Sequence, residues 1–326
     1  MKQKIISYFF FGAIAFFSGC SDEDSNLQPS GMDVDWFAIT DSSDPTDHLR
    51  YEIYRDFDIS VYYTDTLGSQ FRGINGYGDS IFYYEKLSPF YGVTSTRSDI
   101  VYTLSCNRNA IHAGVSLFKD EILPELPAIL YPRSVLLVDN LTLRADKTAA
   151  EGKREGSVFQ GLRTTIIGKL WQIPSMSATD RKLFVAEVLA AIWYTHLTEH
   201  YAEEMEAFYS ISESLWPVTA RTASIYFQLI SSGTADTFKP HWYAYGFLQS
   251  SPSMPGQVNP NISVPGEYTM WYTPSQEEDA TQYLTAVLSE SEAMFQAKYG
   301  NATGYDVMLE KFRHIKALVD NVKLNR

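Results

Sequence analysis

Apolar and polar positions along the chain follow two periods, near two residues and near 3.6, and the switches between them outline its elements. Asp35-Trp36-Phe37-Ala38-Ile39 and Ile59-Ser60-Val61-Tyr62-Tyr63 are β-branched and aromatic runs bounded by Asp and Ser, which predicts two short strands. Gly68 to Ser80 holds four glycines among polar residues and reads as a loop. Ile111, Val115, Phe118 and Ile122 recur at helical spacing and predict a helix over Ala110 to Leu123, stopped by Pro124 and Pro127. Arg133-Ser134-Val135-Leu136-Leu137-Val138 is a buried-strand run. A polar loop, Asp146 to Gly156, leads to another strand at Thr164 to Gly168. The longest periodic segment runs from Ala178 to Phe208, opened by a capping-box variant, Ser177-Ala178-Thr179-Asp180. Pro217 and the segment Ser231 to Pro265, with its five prolines, read as an irregular loop or lid. Two helices, Ser275 to Tyr299 and Tyr305 to Lys323, close the chain, separated by Gly300-Asn301 and Gly304. No repeat is visible. This order of elements predicts one α/β or α+β domain.

One apolar stretch stands apart. Ile5 to Phe17 follows Lys2 and Lys4 and runs into Phe17-Ser18-Gly19-Cys20. A charged tip, an apolar run and small residues at the end predict a secretory signal over residues 1–20. The run is too short to cross a membrane, which takes about 20 residues. A cysteine at the cut predicts cleavage before Cys20 and lipidation there, and two acyl chains hold a protein on a membrane durably. The acidic run Ser21-Asp22-Glu23-Asp24 resembles the export tag of surface-exposed Bacteroidota lipoproteins. The expected address is therefore the outer membrane, lipid-anchored and facing outward, with residues 21–34 as a flexible tether.

Charge narrows the partners. The full chain carries 26 basic against 39 acidic side chains, a net of −13, and loss of Lys2 and Lys4 with the signal makes it −15. Nucleic acid is excluded, because phosphate binding needs clustered Lys and Arg. With Cys20 lipidated, Cys106 is the only other cysteine, so neither a disulfide nor a cysteine metal cluster is expected. Cys106 reads as a packed small residue. The 22 Tyr, 19 Phe and 6 Trp are mostly core, although loop rings such as Trp242 could stack on sugar faces.

The long helix carries two metal-site patterns. In Ala186-Glu187-Val188-Leu189-Ala190 a zincin would have His-Glu-x-x-His, with two imidazoles on one helix face and the glutamate activating bound water. Ala186 and Ala190 offer no donor, so Glu187 stands as a relic catalytic residue with no metal held there. His196-Leu197-Thr198-Glu199-His200 fits the inverted pattern His-x-x-Glu-His, in which His196 and His200 would be ligands and Glu199 the catalytic base. Glu277 or Glu278, at a later helix start, could add a third ligand. The alternative for this pair is two surface histidines among glutamates. His112 reads as a hydrogen-bonded core or border residue, His241 as a loop residue and His314 as solvated.

From about Tyr51 to Asn325 the chain resembles the substrate-import-associated zinc-metallohydrolase lipoproteins of Bacteroidota. The resemblance is carried by Phe118 to Leu126, Pro132 to Val138, Phe184 to Leu197, Phe208 to Ser212, Gly266 to Tyr272 with Glu277-Glu278-Asp279, and Gly304 to Val319. It implies a single α+β, zincin-like domain over residues 35–326, with a small mixed sheet, a long active-site helix and C-terminal helices. It also implies service in nutrient import beside a TonB-dependent transporter and its binding lipoprotein, on a peptide or glycan. Loss of both histidines implies a degenerate site with no expected cofactor. The alternatives are an active zinc metallohydrolase using the His196–His200 pair and a glycan-binding lipoprotein.

Overall fold

The computed structural model describes residues 34–87, 89, 100–143, 154–216, 224–233, 242–252, 257–258 and 269–324. The signal, Cys20, the acidic run, Asp146 to Lys153, Pro217, His241 and most of the Pro-rich segment lie outside them. The chain divides at Trp36/Phe37, and the larger unit, Phe37–Arg326, carries the fold. It is α+β.

At its centre is a four-stranded mixed sheet in the order β1 (Ser60–Tyr62), β5 (Ser134–Leu137), β9 (Thr164–Ile167), β8 (Val158–Gln160). The first three are parallel and β8 is an antiparallel edge. All residues of β1, β5 and β9 are buried, as expected for parallel strands covered on both faces. Alternate residues serve two cores. Val61, Val135, Leu137 and Ile167 pack with the helices, whereas Tyr62, Leu136, Val138 and Ile166 pack with Leu87, Ile100 and Leu141. Ile100 and Leu141 come from a second sheet, β4 (Ile100–Thr103), β6 (Asn140–Leu143) and β7 (Arg154–Glu155). The central sheet is thus sandwiched between helices and a smaller sheet.

Three strands predicted from the sequence are present at Ser60–Tyr62, Ser134–Leu137 and Thr164–Ile167. The strand expected at Asp35 to Ile39 does not form; residues 34–40 carry a turn at Trp36 and Phe37 and no assigned strand. Helix α1 (Pro45–Phe57) lies where none was expected, although its start is written locally. Asp44 accepts from the amides of Thr46 (2.9 Å) and Asp47 (3.2 Å), and Pro45 presets the first helical φ. Gly68 to Ser80 is no loop. It lies largely in a hairpin, β2 (Thr66–Ile74) with β3 (Ser80–Lys86), whose turn Asn75 closes by accepting from the Tyr77 and Asp79 amides, both at 2.9 Å.

Helix α2 (Arg108–Leu117) starts earlier than expected, because Asn107 caps Asn109 and Ala110, and it passes through a π turn (Phe118–Ile122) into a 3-10 turn at Pro124. Its four periodic residues are all buried. The long segment from Ala178 breaks into α3 (Ala178–His200) and α4 (Ala202–Glu213) at Tyr201, which leaves helical geometry with φ −132°. Just before the break the Thr198 hydroxyl bonds back to the Tyr194 and Thr195 carbonyls, a competition that weakens a helix. The next predicted helix likewise divides, into α5 (Gln276–Ser289) and α6 (Glu292–Tyr299), where Ser291 caps a new start. Helix α7 (Tyr305–Leu324) matches expectation. At the start of, within and just after the Pro-rich segment, β10 (Leu229–Gly233), β11 (Gln257–Val258) and β12 (Thr269–Tyr272) form an antiparallel sheet. Trp242 is buried against Trp271 and belongs to the core, not to an exposed sugar platform.

Candidate functional site: a polar cleft beside Glu187

Helix α3 buries ten of its 23 residues, between Phe184 and Leu197, and is exposed at both ends. Trp193 and Leu197 are fully buried, as are Ala186 and Ala190 at 2 % and 1 % exposure. The face left open carries Leu183, Glu187, Ala191 and Tyr194, spaced three and four apart on one stripe. This stripe faces a cleft of about 570 Å³. Helix α5 forms another wall through Glu277, Thr281 and Gln282, and β8 with Ser157 forms a third. Glu290, Lys298 and Tyr299 line it as well. The volume lies within the range of about 300–1,000 Å³ usual for small-molecule sites.

Glu187 is held by its neighbours. The Ser157 hydroxyl donates to the Glu187 carboxylate and accepts from the Lys169 ammonium at 2.8 Å. Lys169 reaches Ser157 from a sharp exit of β9. Gly168 donates to the Ser157 carbonyl at 2.9 Å, and a Cβ there would meet the Gly156 oxygen at 2.7 Å and Leu141 Cβ at 2.8 Å. Only glycine allows that approach. Lys169 follows with φ +59°, a left-handed conformation uncommon for a residue with a side chain. The relay Lys169–Ser157–Glu187 was invisible in the sequence, since its members lie 12 and 30 residues apart on three elements. The strained Gly168-Lys169 exit is its only local trace.

The acids at the start of α5 have separate roles. Glu278 completes a capping box with Ser275 and also accepts from the Ser251 hydroxyl at 2.8 Å. Asp279 is fully buried. It pairs with Lys311 at 2.6 Å and accepts from Tyr226 at 3.0 Å. These bonds occupy Glu278 Oε2 and Asp279 Oδ2, and Asp279 Oδ1, which has no partner, is sealed in the core. Glu277 lines the cleft. Burial, with the Glu277 carboxylate adding to it, raises the Tyr194 phenol above its ordinary value.

The structure brings His196 and His200 together, with ring centroids 4.6 Å apart. They are not two surface histidines: His196 is buried at 9 % exposure and His200 is exposed. Burial, then the neighbouring His200, lowers the His196 pKa, and Glu199 opposes the shift. Glu277 does not join the pair. Among the described residues no three His, Cys, Asp or Glu side chains converge as a metal site.

Other expectations change with the structure. Cys106 is exposed rather than packed. His112, by contrast, is a hydrogen-bonded border residue as expected, exposed with its Nδ1 3.2 Å from the Thr46 hydroxyl. His314 is half-buried, its Nε2 2.8 Å from the Glu204 carbonyl. Among the described residues no helix is long and apolar enough to cross a membrane. No family model, curated protein or solved structure matches the chain.

Proposed function

We propose that this chain is a surface lipoprotein, anchored through Cys20, whose domain is zincin-like with a degenerate metal site. In this reading it serves nutrient import as a binding or accessory subunit beside a TonB-dependent transporter. One observation carries the binding role: Glu187 sits on the open stripe of a helix whose middle is buried, held by Ser157, which Lys169 in turn holds, in the wall of a cleft. A rigid helix, a fixed carboxylate and an adjoining edge strand suit a site that holds a ligand. Ala186 and Ala190 bring no metal donor to it.

The His196–His200 contact favours a second reading, an active zinc enzyme, because two imidazoles one turn apart can share a metal. Metal analysis of the purified chain separates the two. The binding reading expects far less than one zinc per chain. Near-stoichiometric zinc, lost in His196→Ala or His200→Ala, would establish the enzyme instead. The anchor is tested by Cys20→Ala, which should move the protein from membrane to soluble fraction. The partner is tested by cross-linking intact cells and isolating the tagged chain; recovery without any TonB-dependent transporter would remove the import role.

A further inference from the structure

We infer that the β2–β3 hairpin rests one face on the bilayer that holds Cys20, at the level of the lipid headgroups; the inference rests on the lipid anchor proposed above. The hairpin is a two-stranded sheet of its own. It gathers more exposed large apolar and aromatic side chains than any other described element. Strand alternation and ring contacts sort them by face. Phe71 packs edge-on against Phe82 at 5.7 Å, Phe82 lies 6.5 Å from Tyr84, and Ile74, opposite Ser80, shares their side. These four are 47–66 % exposed. The other face carries charge: Arg72 lies over the Tyr83 ring at 5.2 Å, and Glu85 accepts from the Tyr83 hydroxyl. Lys86, at the root, turns to Asp65 at 3.8 Å. A contiguous apolar face of this kind marks a contact surface.

The anchor's stretch of chain enters the domain where the hairpin is rooted. Phe37, the first residue of the larger unit, packs into the same small core as Leu67 of β2 and Leu87, the residue after β3. Its ring lies 6.3 Å from that of Tyr62, and its carbonyl accepts from the Ser60 hydroxyl at 2.6 Å. From Cys20 to Phe37 the chain can span at most about 60 Å. The nine residues of β2 extend about 30 Å, so the hairpin face lies within reach of the same bilayer. That face is about 10 Å wide, and two copies pressed together would bury about 600 Å², short of the roughly 1,000 Å² a stable interface needs. A bilayer sets no such threshold for a protein already tethered to it, because the contact is then intramolecular. Arg72 and Lys86 offset Asp79 and Glu85 within the hairpin, so the attraction is apolar rather than electrostatic. A two-stranded sheet leaves peptide groups at its outer edges that hydrocarbon cannot satisfy. The hairpin therefore stays at headgroup level, where tyrosine rings also settle.

The test uses the full lipoprotein reconstituted into phosphatidylcholine vesicles. Cys106→Ser removes the exposed free thiol, and Tyr77→Cys, at the hairpin tip, carries an environment-sensitive fluorophore. Vesicles containing a phosphatidylcholine with a nitroxide near its headgroup should quench that fluorophore. Phe71→Thr with Phe82→Thr and Tyr84→Thr, which keeps strand-forming residues in place, should abolish most of the quenching while circular dichroism and melting stay close to the parent. Ile81→Thr with Tyr83→Thr, on the charged face, should leave the quenching intact. A chain that floats with the vesicles but whose tip is not quenched, or is quenched equally in both face variants, overturns the inference and leaves the anchor standing. A dimer in detergent that the triple variant breaks gives the face to a second copy and overturns it as well. A chain that does not float with the vesicles removes anchor and inference together.

Discussion

Two lysine–carboxylate–hydroxyl groupings in this domain are alike in chemistry and opposite in setting. Around Lys311 everything is closed. Its ammonium lies 2.6 Å from Asp279 and 2.7 Å from the Ser212 hydroxyl, beneath the rings of Phe208, Phe247 and Tyr283 at 4.5–5.0 Å. Lys311 and Asp279 are both fully buried. Burial pushes the Asp279 carboxyl up and the Lys311 ammonium down, each opposed by the other's charge. The grouping ties α4, α5 and α7 together at one point. Around Lys169 the same functional groups line an open cleft. Charges sealed under aromatic rings have one partner set and fix the fold, whereas charges beside a cleft keep capacity for a ligand. Exposure, rather than residue type, separates the sealed trio from the one beside the cleft.

The largest effect should come from breaking the sealed trio. Lys311→Met leaves Asp279 buried without its counter-charge, and such losses cost about 3–5 kcal/mol. Urea unfolding should show that loss, and the melting temperature should fall by roughly 6–20 °C, given about 2–4 °C per kcal/mol for large domains. Adding Asp279→Leu should recover most of it, since the uncompensated charge is then gone. The matching change in the cleft, Lys169→Met, should cost no more than about 1 kcal/mol, because water can reach the groups it leaves behind. Equal losses from the two methionine variants would erase the distinction.

A smaller effect is expected where the cleft meets the core. Ala186 and Ala190 are buried beside Glu187, so Ala186→His with Ala190→His forces two rings into closed packing at a cost of about 1–3 kcal/mol. With Glu278 bonded and Asp279 sealed in the core beside Lys311, Glu277 is the acid on α5 that lines the cleft and could complete a site. A zincin-like helix predicts that zinc raises the melting temperature of this double variant and leaves the parent unmoved, since metal bound only to the native state stabilises it. A folded double variant indifferent to zinc would take away the zincin-like reading while leaving the cleft and its relay in place.

How much of this was legible depended on whether a signal was local. The three parallel strands were readable because burial on both faces writes a continuous apolar run. The hairpin was not, because both of its faces are largely exposed: Phe71, Phe82, Tyr83 and Tyr84 all meet solvent, so no inside–outside period marks it. Its glycines suggested a loop, whereas Gly73 and Gly78 serve a register shift and a turn at φ +128° and +91°. Asp44-Pro45 and Ser291 were local cap signals passed over. Glu187 could be singled out from the sequence, but its partners could not. Ser157 and Lys169 reach it through the return of β8 onto β9, and Lys311 meets Asp279 across 32 residues and two helices. No spacing rule spans such distances.

The smallest expected effect belongs to His196, which stands between the two settings, its ring buried while its neighbour His200 is in water. Its pKa is lowered in the folded chain, first by burial and then by His200, with Glu199 opposing. The unfolded chain, with histidine near its ordinary value of about 6.5, therefore binds the proton more readily. Stability from this group is fully present above that value, declines as the pH falls through it, and stops declining below the folded pKa. His196→Gln should flatten that part of the stability–pH curve. His200→Gln should leave most of the slope, because burial is the larger cause and the neighbouring charge the lesser one. Proton NMR of the imidazole signals gives the same comparison directly: in His200→Gln the His196 titration should move up only part of the way. A full return to the ordinary value would mean that charge repulsion rather than burial sets this site, and that the end of α3 is more open than its packing against Tyr201 implies.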